Sequence, residues 1–236
     1  MKREITYKDW SDEHAKQINE SFKEYFDVLK WAYSTYKSED IIYACSFGAE
    51  GMVMIDLIYK VDKKARIVFL DTSLHFEETY ELIEKVKERY PGLDIMLKKP
   101  KLTLTEQAEK YGDSLWKVNP NLCCSLRKIE PLKEELTNSL AWISGLRKDQ
   151  SLARKNLEYV NKDNKFKLVK ICPLIDWTWN DVWEYISLNN LPYNELHDKN
   201  YPSIGCEPCT QAVINNDLRS GRWVSHNKTE CGLHLD

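Results

Sequence analysis

The chain has no apolar run approaching the roughly 18 residues that a membrane-crossing helix needs. It also has no basic excess: 34 Lys and Arg stand against 37 Asp and Glu, a formal net charge of −3. A general nucleic-acid binder, which carries a basic surplus, is thereby excluded as a class. Any anionic ligand would have to meet cations gathered locally. The opening residues MKREITYKDW lack the apolar stretch of a secretory leader. The expectation is a cytoplasmic protein with neither membrane nor nucleic acid as partner. No repeat or low-complexity stretch interrupts the 236 residues, a length that buries one large core. Nothing in the sequence specifies oligomeric state, and a homo-oligomer is compatible with it.

What is present is cysteine, seven of them. In a reducing compartment such cysteines serve as metal ligands or catalytic thiols more often than as disulfides. Cys45 and Cys172 lie in the apolar runs IIYACS and KLVKICPLI and read as core residues. The other five form the adjacent pair Cys123-Cys124, the pair Cys206-Glu207-Pro208-Cys209, and a single Cys231 in the polar C-terminal stretch.

Residues 10–37 carry Ile18, Phe22, Tyr25, Phe26, Leu29 and Tyr33 at helical spacing, which predicts a helix. Short apolar runs follow: IIYAC (41–45), RIVFL (66–70), LDIML (93–97), LAWIS (140–144) and KLVKI (167–171). Helical patterns lie between them, including a stripe from Phe76 to Tyr90 stopped by Pro91-Gly92. Strands alternating with helices predict an α/β fold, a parallel twisted sheet with flanking helices. Residues 176–186 predict a helix capped by Thr178 with Asp181 three residues on. Beyond it come an irregular cysteine-bearing segment, a short helix over 206–216 and a mobile polar stretch over 217–236. The expected organisation is one domain over 1–236, with an α/β nucleotide-binding core at 40–175 and a C-terminal segment at 176–236.

Three strand ends offer ligand contacts, since ligands of such sheets bind at the carboxyl ends of strands. The first run leads into Ser46-Phe47-Gly48-Ala49-Glu50-Gly51, a small-residue loop opening a helix, which is an anion site in outline. It is not a Walker A loop, because GK[ST] is missing; a plain strand–helix turn would look the same. The second run ends at Asp71-Thr72, placed to hold a ribose or base, or only to cap the next helix. The fourth leads into Gly145-Leu146-Arg147-Lys148, with Arg154 beyond, a second anion site or a solvated charge run.

Adjacent cysteines seldom share a structural zinc ion, whose ligands are spaced by two to four residues. A cubic [4Fe–4S] cluster offers separate iron corners that neighbouring residues can reach. Lys128 follows Cys124 by four residues, on the same face of an expected helix. A zinc site, redox-active disulfides and unliganded thiols stay open as alternatives. Cys231 sits in ECGLH, where glycine frees the backbone and His234 or nearby cations could favour the thiolate. A tail cysteine with no role is the other reading.

Together the stretches SFGAEG, LDTSLHFEETY, CCSLRKIEPL, WISGLRKDQS, PLIDWTWNDVWEYI, NNLPYNELHDKNYPSIGCEPCT, RSGR and ECGLH resemble the assimilatory adenylyl-sulfate (APS) and phosphoadenylyl-sulfate (PAPS) reductases. The presence of both cysteine pairs is similar to the iron–sulfur branch that reduces APS. The resemblance runs from about residue 40 to the C-terminus. It implies an adenine nucleotide α-hydrolase-like fold and a [4Fe–4S] cluster on Cys123, Cys124, Cys206 and Cys209. It implies catalysis by Cys231 with Lys128 and His234, and a substrate cleft from Ser46, Phe47, Gly48, Ala49, Glu50, Asp71, Thr72, Arg147, Arg219 and Arg222. The implied reaction is reduction of APS to sulfite and AMP through an S-sulfocysteine, with thioredoxin or glutaredoxin as reductant. PAPS or dual use, and a non-enzymatic metal or redox-sensing module, are the alternatives. Two positions depart from the family pattern. Asp71-Thr72-Ser73 replaces DTG, and Phe76-Glu77-Glu78-Thr79 replaces FPET.

Overall fold

The computed structural model describes residues 5–213, 217–224, 226, 228, 232 and 233. Helices α1 (Asp12–Ser21) and α2 (Tyr25–Thr35) precede strand β1 (Ile41–Cys45), helix α3 (Ala49–Val61), strand β2 (Arg66–Leu70), helix α4 (Glu77–Arg89) and strand β3 (Asp94–Lys98). Helices α5 (Leu104–Tyr111), α6 (Leu115–Val118), α7 (Pro120–Cys124) and α8 (Glu130–Glu135) lead to strands β4 (Ala141–Ile143), β5 (Val160–Asp163) and β6 (Leu168–Ile171), then helix α9 (Trp179–Leu188). The sheet order is β3-β2-β1-β4-β6-β5. Every neighbouring pair is parallel except β5 with β6.

The five apolar runs become β1, β2, β3, β4 and β6, and their period-two alternation sorts side chains between two buried faces. Ile41, Tyr43, Cys45, Ile67, Phe69, Ala141, Ile143, Val169 and Ile171 join the larger core with α2, α3, α4 and α9. Ile42, Val68, Leu70, Trp142 and Leu168 face the other way, against Leu132 and Leu136. Helix α3 is buried at Ala49 and throughout Gly51–Ile58, so its first turn is fixed at the carboxyl end of β1. The chain reverses direction across the sheet between β1 and β4, and a crevice opens there as the topology requires.

The expected single helix over 10–37 is two. Phe22 leaves the helical path to pack edge-on against Trp31 and Tyr159, at 5.7 and 5.9 Å between ring centroids. No apolar run in the sequence marks strand β5, because VNKD alternates weakly and lies at a polar sheet edge. The expected helix over 206–216 is a 3-10 turn at Glu207–Cys209 followed by a β-bridge between Thr210 and Arg222. That bridge, and the buried Trp223, also correct the expectation of mobility for residues 217–224. The capping box of Thr178 and Asp181 forms as expected and starts α9.

Candidate active site

At the carboxyl ends of β1 and β4 lies a cleft of about 420 Å³. Its floor begins where β1 runs into Ser46 and Phe47. Phe47 takes φ +54, an unfavourable region for a bulky residue, and its buried ring meets Phe69 edge-on at 5.4 Å. This kink delivers Gly48 to the N-cap of α3, where no side chain caps the free N–H groups of the first turn. A Cβ on Gly51 would lie 3.0 Å from Cys45 Sγ, so glycine there allows the helix to start this close to the strand. Ser46, Gly48, Ala49 and Glu50 line the cleft; Phe47 lies beneath it, in the core.

Arg147, expected to meet substrate, lines the cleft but is only 2% exposed and is held by carboxylates. Its Nε and Nη2 donate to Glu50 Oε1 at 3.0 and 2.9 Å, and Nη1 donates to Asp149. Gln150 Nε2 donates to the same Glu50 oxygen at 2.8 Å, and the Trp179 ring lies 5.4 Å from the guanidinium. Arg147 therefore ties the start of α3 to the loop after β4.

The opposite wall is built by Pro202–Gly205, Asp217, Leu218, Arg219, Arg222 and Trp223. Arg222 lies over the Trp223 ring at 4.5 Å and donates from Nη1 to Ser203 Oγ at 3.4 Å. Its buried Nε has no acceptor among the described residues. A Cβ at Gly205 would collide with the guanidinium of Arg222, so glycine is needed for this approach.

Asp71 and Thr72 face away from the cleft. The Asp71 carboxylate accepts from Tyr80 Oη at 2.7 Å and from the Ser73 N–H at 2.9 Å. Ser73 takes φ +57, the left-handed region that a glycine would occupy without cost. Glu77 is the first residue of α4, a position where proline is also tolerated. Both departures from the family pattern are thus absorbed locally. Thr72 Oγ1 is 3.2 Å from Cys206 Sγ, at a second, smaller cavity.

Cys123, Cys124, Cys206 and Cys209 line that second cavity together. The first two end α7, which continues through a π-helical turn at Ser125–Ile129 into α8. Cys206 precedes the 3-10 turn and Cys209 ends it, and the turn is anchored to the loop after β2 by Glu207 N–H donating to Leu74 O at 2.7 Å. Arg127, 2% exposed, braces the two halves by donating from Nε to Thr72 O at 2.7 Å and from Nη1 to Gln107 Oε1 at 3.0 Å. Burial and then the other three cysteines push the Cys123 thiol up to about 12. Burial and Cys206 push Cys209 up to about 11. Burial also opposes ionisation of Cys206, but Lys128, the Thr72 hydroxyl and Arg222 outweigh it and hold that thiol below its ordinary value. Lys228 Nζ donates to Cys124 Sγ at 3.3 Å. Among the described residues, no three Cys, His, Asp or Glu side chains are gathered tightly enough to share one metal ion. Four thiols around one cavity, with the buried Trp116 Nε1 at its wall lacking an acceptor among the described residues, fit a larger sulfur-rich group.

Lys128, Arg222 and Trp223 line both cavities and form the partition between them. Cys231 and His234 lie outside the described residues. Gly232 and Leu233 are described, and Leu233 lines the cleft.

His197 also lines the cleft and was missed in the sequence, since a 3-10 turn far from any strand end brings it there. Its ring meets Trp183 at 5.2 Å and Trp179 at 6.0 Å. Neither ring nitrogen reaches hydrogen-bond geometry with a described residue. Burial lowers its pKa below 6.5, against the opposing pull of the Glu50 charge and the nearby Tyr201 backbone. The folded state therefore binds this proton less readily than the unfolded chain. Its contribution to stability is present above pH 6.5 and is lost as pH falls below that value. Urea unfolding from pH 7.5 down to 5 is expected to show this acid-side loss, and His197→Gln should reduce it, leaving the part that comes from His75, whose pKa burial lowers to about 4.

Residues 40–212 match the family of the phosphoadenosine phosphosulfate reductase domain. The chain is 64% identical to "Adenosine 5'-phosphosulfate reductase 2" of Bacillus subtilis (strain 168), with 100% of both chains covered. It is 61% identical to "Adenosine 5'-phosphosulfate reductase" of Geobacillus sp. (strain WCH70), over 98% of this chain and 99% of the relative. Among solved structures it is similar to the phosphate complex of phosphoadenylyl-sulfate (PAPS) reductase from Candida auris. The TM-score is 0.72 at 36% identity, over 86% of this chain and 98% of the other. Candida glabrata FMN adenylyltransferase shares the fold alone, with a TM-score of 0.59 at 16% identity over 80% of this chain and 65% of the other.

Proposed function

The chain belongs to the family of the phosphoadenosine phosphosulfate reductase domain, and from that premise we propose that it is a sulfur-group oxidoreductase reducing APS to sulfite and AMP in sulfate assimilation. The observation that carries the reading is the partition of Lys128, Arg222 and Trp223 between a nucleotide-sized cleft and a cavity lined by four cysteines.

The free N–H groups at the start of α3, with Ser46, Gly48 and Ala49, hold the anionic end of the nucleotide. Glu50 and Arg147 shape this wall as a pair. Asp71 and Thr72 support the loop that faces the cysteines, so their part in substrate binding is indirect. The Cys231 thiolate, with His234 beside it in the sequence, attacks the sulfate sulfur. A sulfur–sulfur bond forms, the bond from sulfur to the bridging oxygen breaks, and AMP leaves with that oxygen. The position of Leu233 in the cleft supports this assignment. A thiolate of thioredoxin or glutaredoxin then attacks Cys231 Sγ and expels sulfite. The second thiol of the reductant resolves the mixed disulfide and frees Cys231, supplying two electrons in all. Lys128, Arg219 and Arg222 oppose the repulsion between thiolate and sulfate as the bond forms.

Cys123, Cys124, Cys206 and Cys209 would hold a [4Fe–4S] cluster, which when bound supplies a charged, rigid centre behind Lys128. Residues 40–175 then serve as the nucleotide-binding core and 176–236 as the cluster-binding segment and catalytic tail, in a cytoplasmic enzyme.

The test is kcat/KM for APS and PAPS with thioredoxin, on protein purified without oxygen. APS should be preferred by about tenfold or more, the scale on which a site separates ligands by one group. The protein should be brown. Equal values would make the enzyme a dual APS/PAPS reductase, a reversed preference would reject APS as the preferred substrate, and colourless protein with one equivalent of zinc would reject the cluster.

A further inference from the structure

Outside the cleft wall, the β5–β6 hairpin reaches across to the C-terminal segment. Lys165, in the turn between the two strands, donates from Nζ to the backbone carbonyl of Gly232. Leu233, like Phe166 of the same turn, packs against the apolar cluster that contains Ile42, Leu70 and Trp142. Gly232 takes φ +85, and a Cβ there would lie 3.3 Å from Ile129 Cδ1. Ile129 is the residue after Lys128. Three attachments of different chemistry thus converge on residues 232 and 233: a charge-assisted hydrogen bond, an apolar anchor and a glycine fitted against the π-helical turn.

The turn that presents Lys165 is itself held firmly. Asp163 Oδ1 accepts from the Phe166 N–H at 2.9 Å, and the Phe166 ring meets Trp142 edge-on at 5.6 Å. Lys167 takes φ +59 as the chain reverses. A cation on a hairpin held in this way is suited to fix the position of a backbone carbonyl.

We infer that Lys165 is a positioning residue for the reaction: it anchors the Gly232 carbonyl and so restricts the reach of Cys231, the preceding residue in the chain. This rests on the assignment of Cys231 as the attacking thiol. Lys165 touches neither substrate nor reacting atoms in this role. Its effect is on the rate of sulfur transfer rather than on nucleotide affinity.

The experiment is single-turnover transfer of radiolabel from sulfur-labelled APS to the holoenzyme, with hydrogen exchange followed over residues 226–236. Lys165→Met keeps the stem and removes the charge. It is expected to slow labelling about tenfold, the scale of one charge-assisted hydrogen bond, and to raise tail exchange. AMP affinity and the visible spectrum should stay at wild-type values. Lys165→Arg should restore most of the rate, which a merely structural loss would not predict. Leu233→Ser, which leaves the hairpin intact, should raise exchange in the same segment. Wild-type labelling or unchanged exchange in Lys165→Met, or no rescue by arginine, overturns the inference. Should wild-type protein itself take no label, the assignment of Cys231 fails instead, and the exchange comparison still decides whether Lys165 anchors the tail.

Discussion

Cys231→Ser is expected to abolish transfer of label from APS to the protein and to lower turnover by about a thousandfold or more. A serine hydroxyl is not ionised near neutral pH, whereas a cysteine thiol is ionised in part, and the thiolate is the nucleophile. The other six cysteines are poorly suited to the step. Burial pushes the Cys45 and Cys172 thiols up to about 12, and both lie in the core. Cys123, Cys124, Cys206 and Cys209 face a cavity that is separated from the cleft by Lys128, Arg222 and Trp223. The substitution should leave AMP binding and the visible spectrum unchanged, because neither depends on a tail thiol. Label persisting on the Cys231→Ser protein would mean that another residue attacks the sulfur.

The largest loss of stability is expected from Asp163→Ala, about 3–5 kcal/mol. Asp163 is fully buried, and Lys170 is 4% exposed. Asp163 Oδ2 accepts from Lys170 Nζ and from Trp142 Nε1, both at 3.0 Å. The Lys170 ammonium also lies 5.2 Å from the Trp142 ring centre. Removing the carboxylate leaves an ammonium and an indole N–H buried without their acceptor, and removes the hydrogen bond that closes the hairpin turn. Chemical denaturation of anaerobic protein measures the loss. Asp163→Leu combined with Lys170→Met should recover much of it, because a buried ion pair replaced by apolar residues is often neutral. A change below about 1 kcal/mol for Asp163→Ala would show that the pair is hydrated in solution. Since the same carboxylate shapes the turn that presents Lys165, the single variant should also slow labelling.

Much of the scaffold was legible because its signals are local. The runs that became β1, β2, β3, β4 and β6 carry their alternation within five residues, and the Thr178–Asp181 capping box spans only four positions. The division of cysteines into two core residues, two pairs and a single tail residue was also readable, since apolar or polar flanks mark each kind.

Other features depended on partners distant in the chain. Phe22 broke the first helix by packing against Tyr159, and β5 became a strand only because β6 was there to pair with it. Arg147, expected at the substrate, lines the cleft with two of its N–H donors taken by Glu50, 97 residues away. Thr72, expected at the nucleotide, turned toward Cys206, and His197 entered the cleft without any local pattern to announce it. By itself the sequence determined the elements of the α/β fold and the kinds of cysteine, because periodicity, capping and flanking polarity act over a few residues. Only the tertiary structure decided which charges are already neutralised, which side of each loop faces the cleft, and that Lys128 stands between two cavities. Those outcomes depend on which groups meet across the fold, and burial makes the choice of partner dominate their energies.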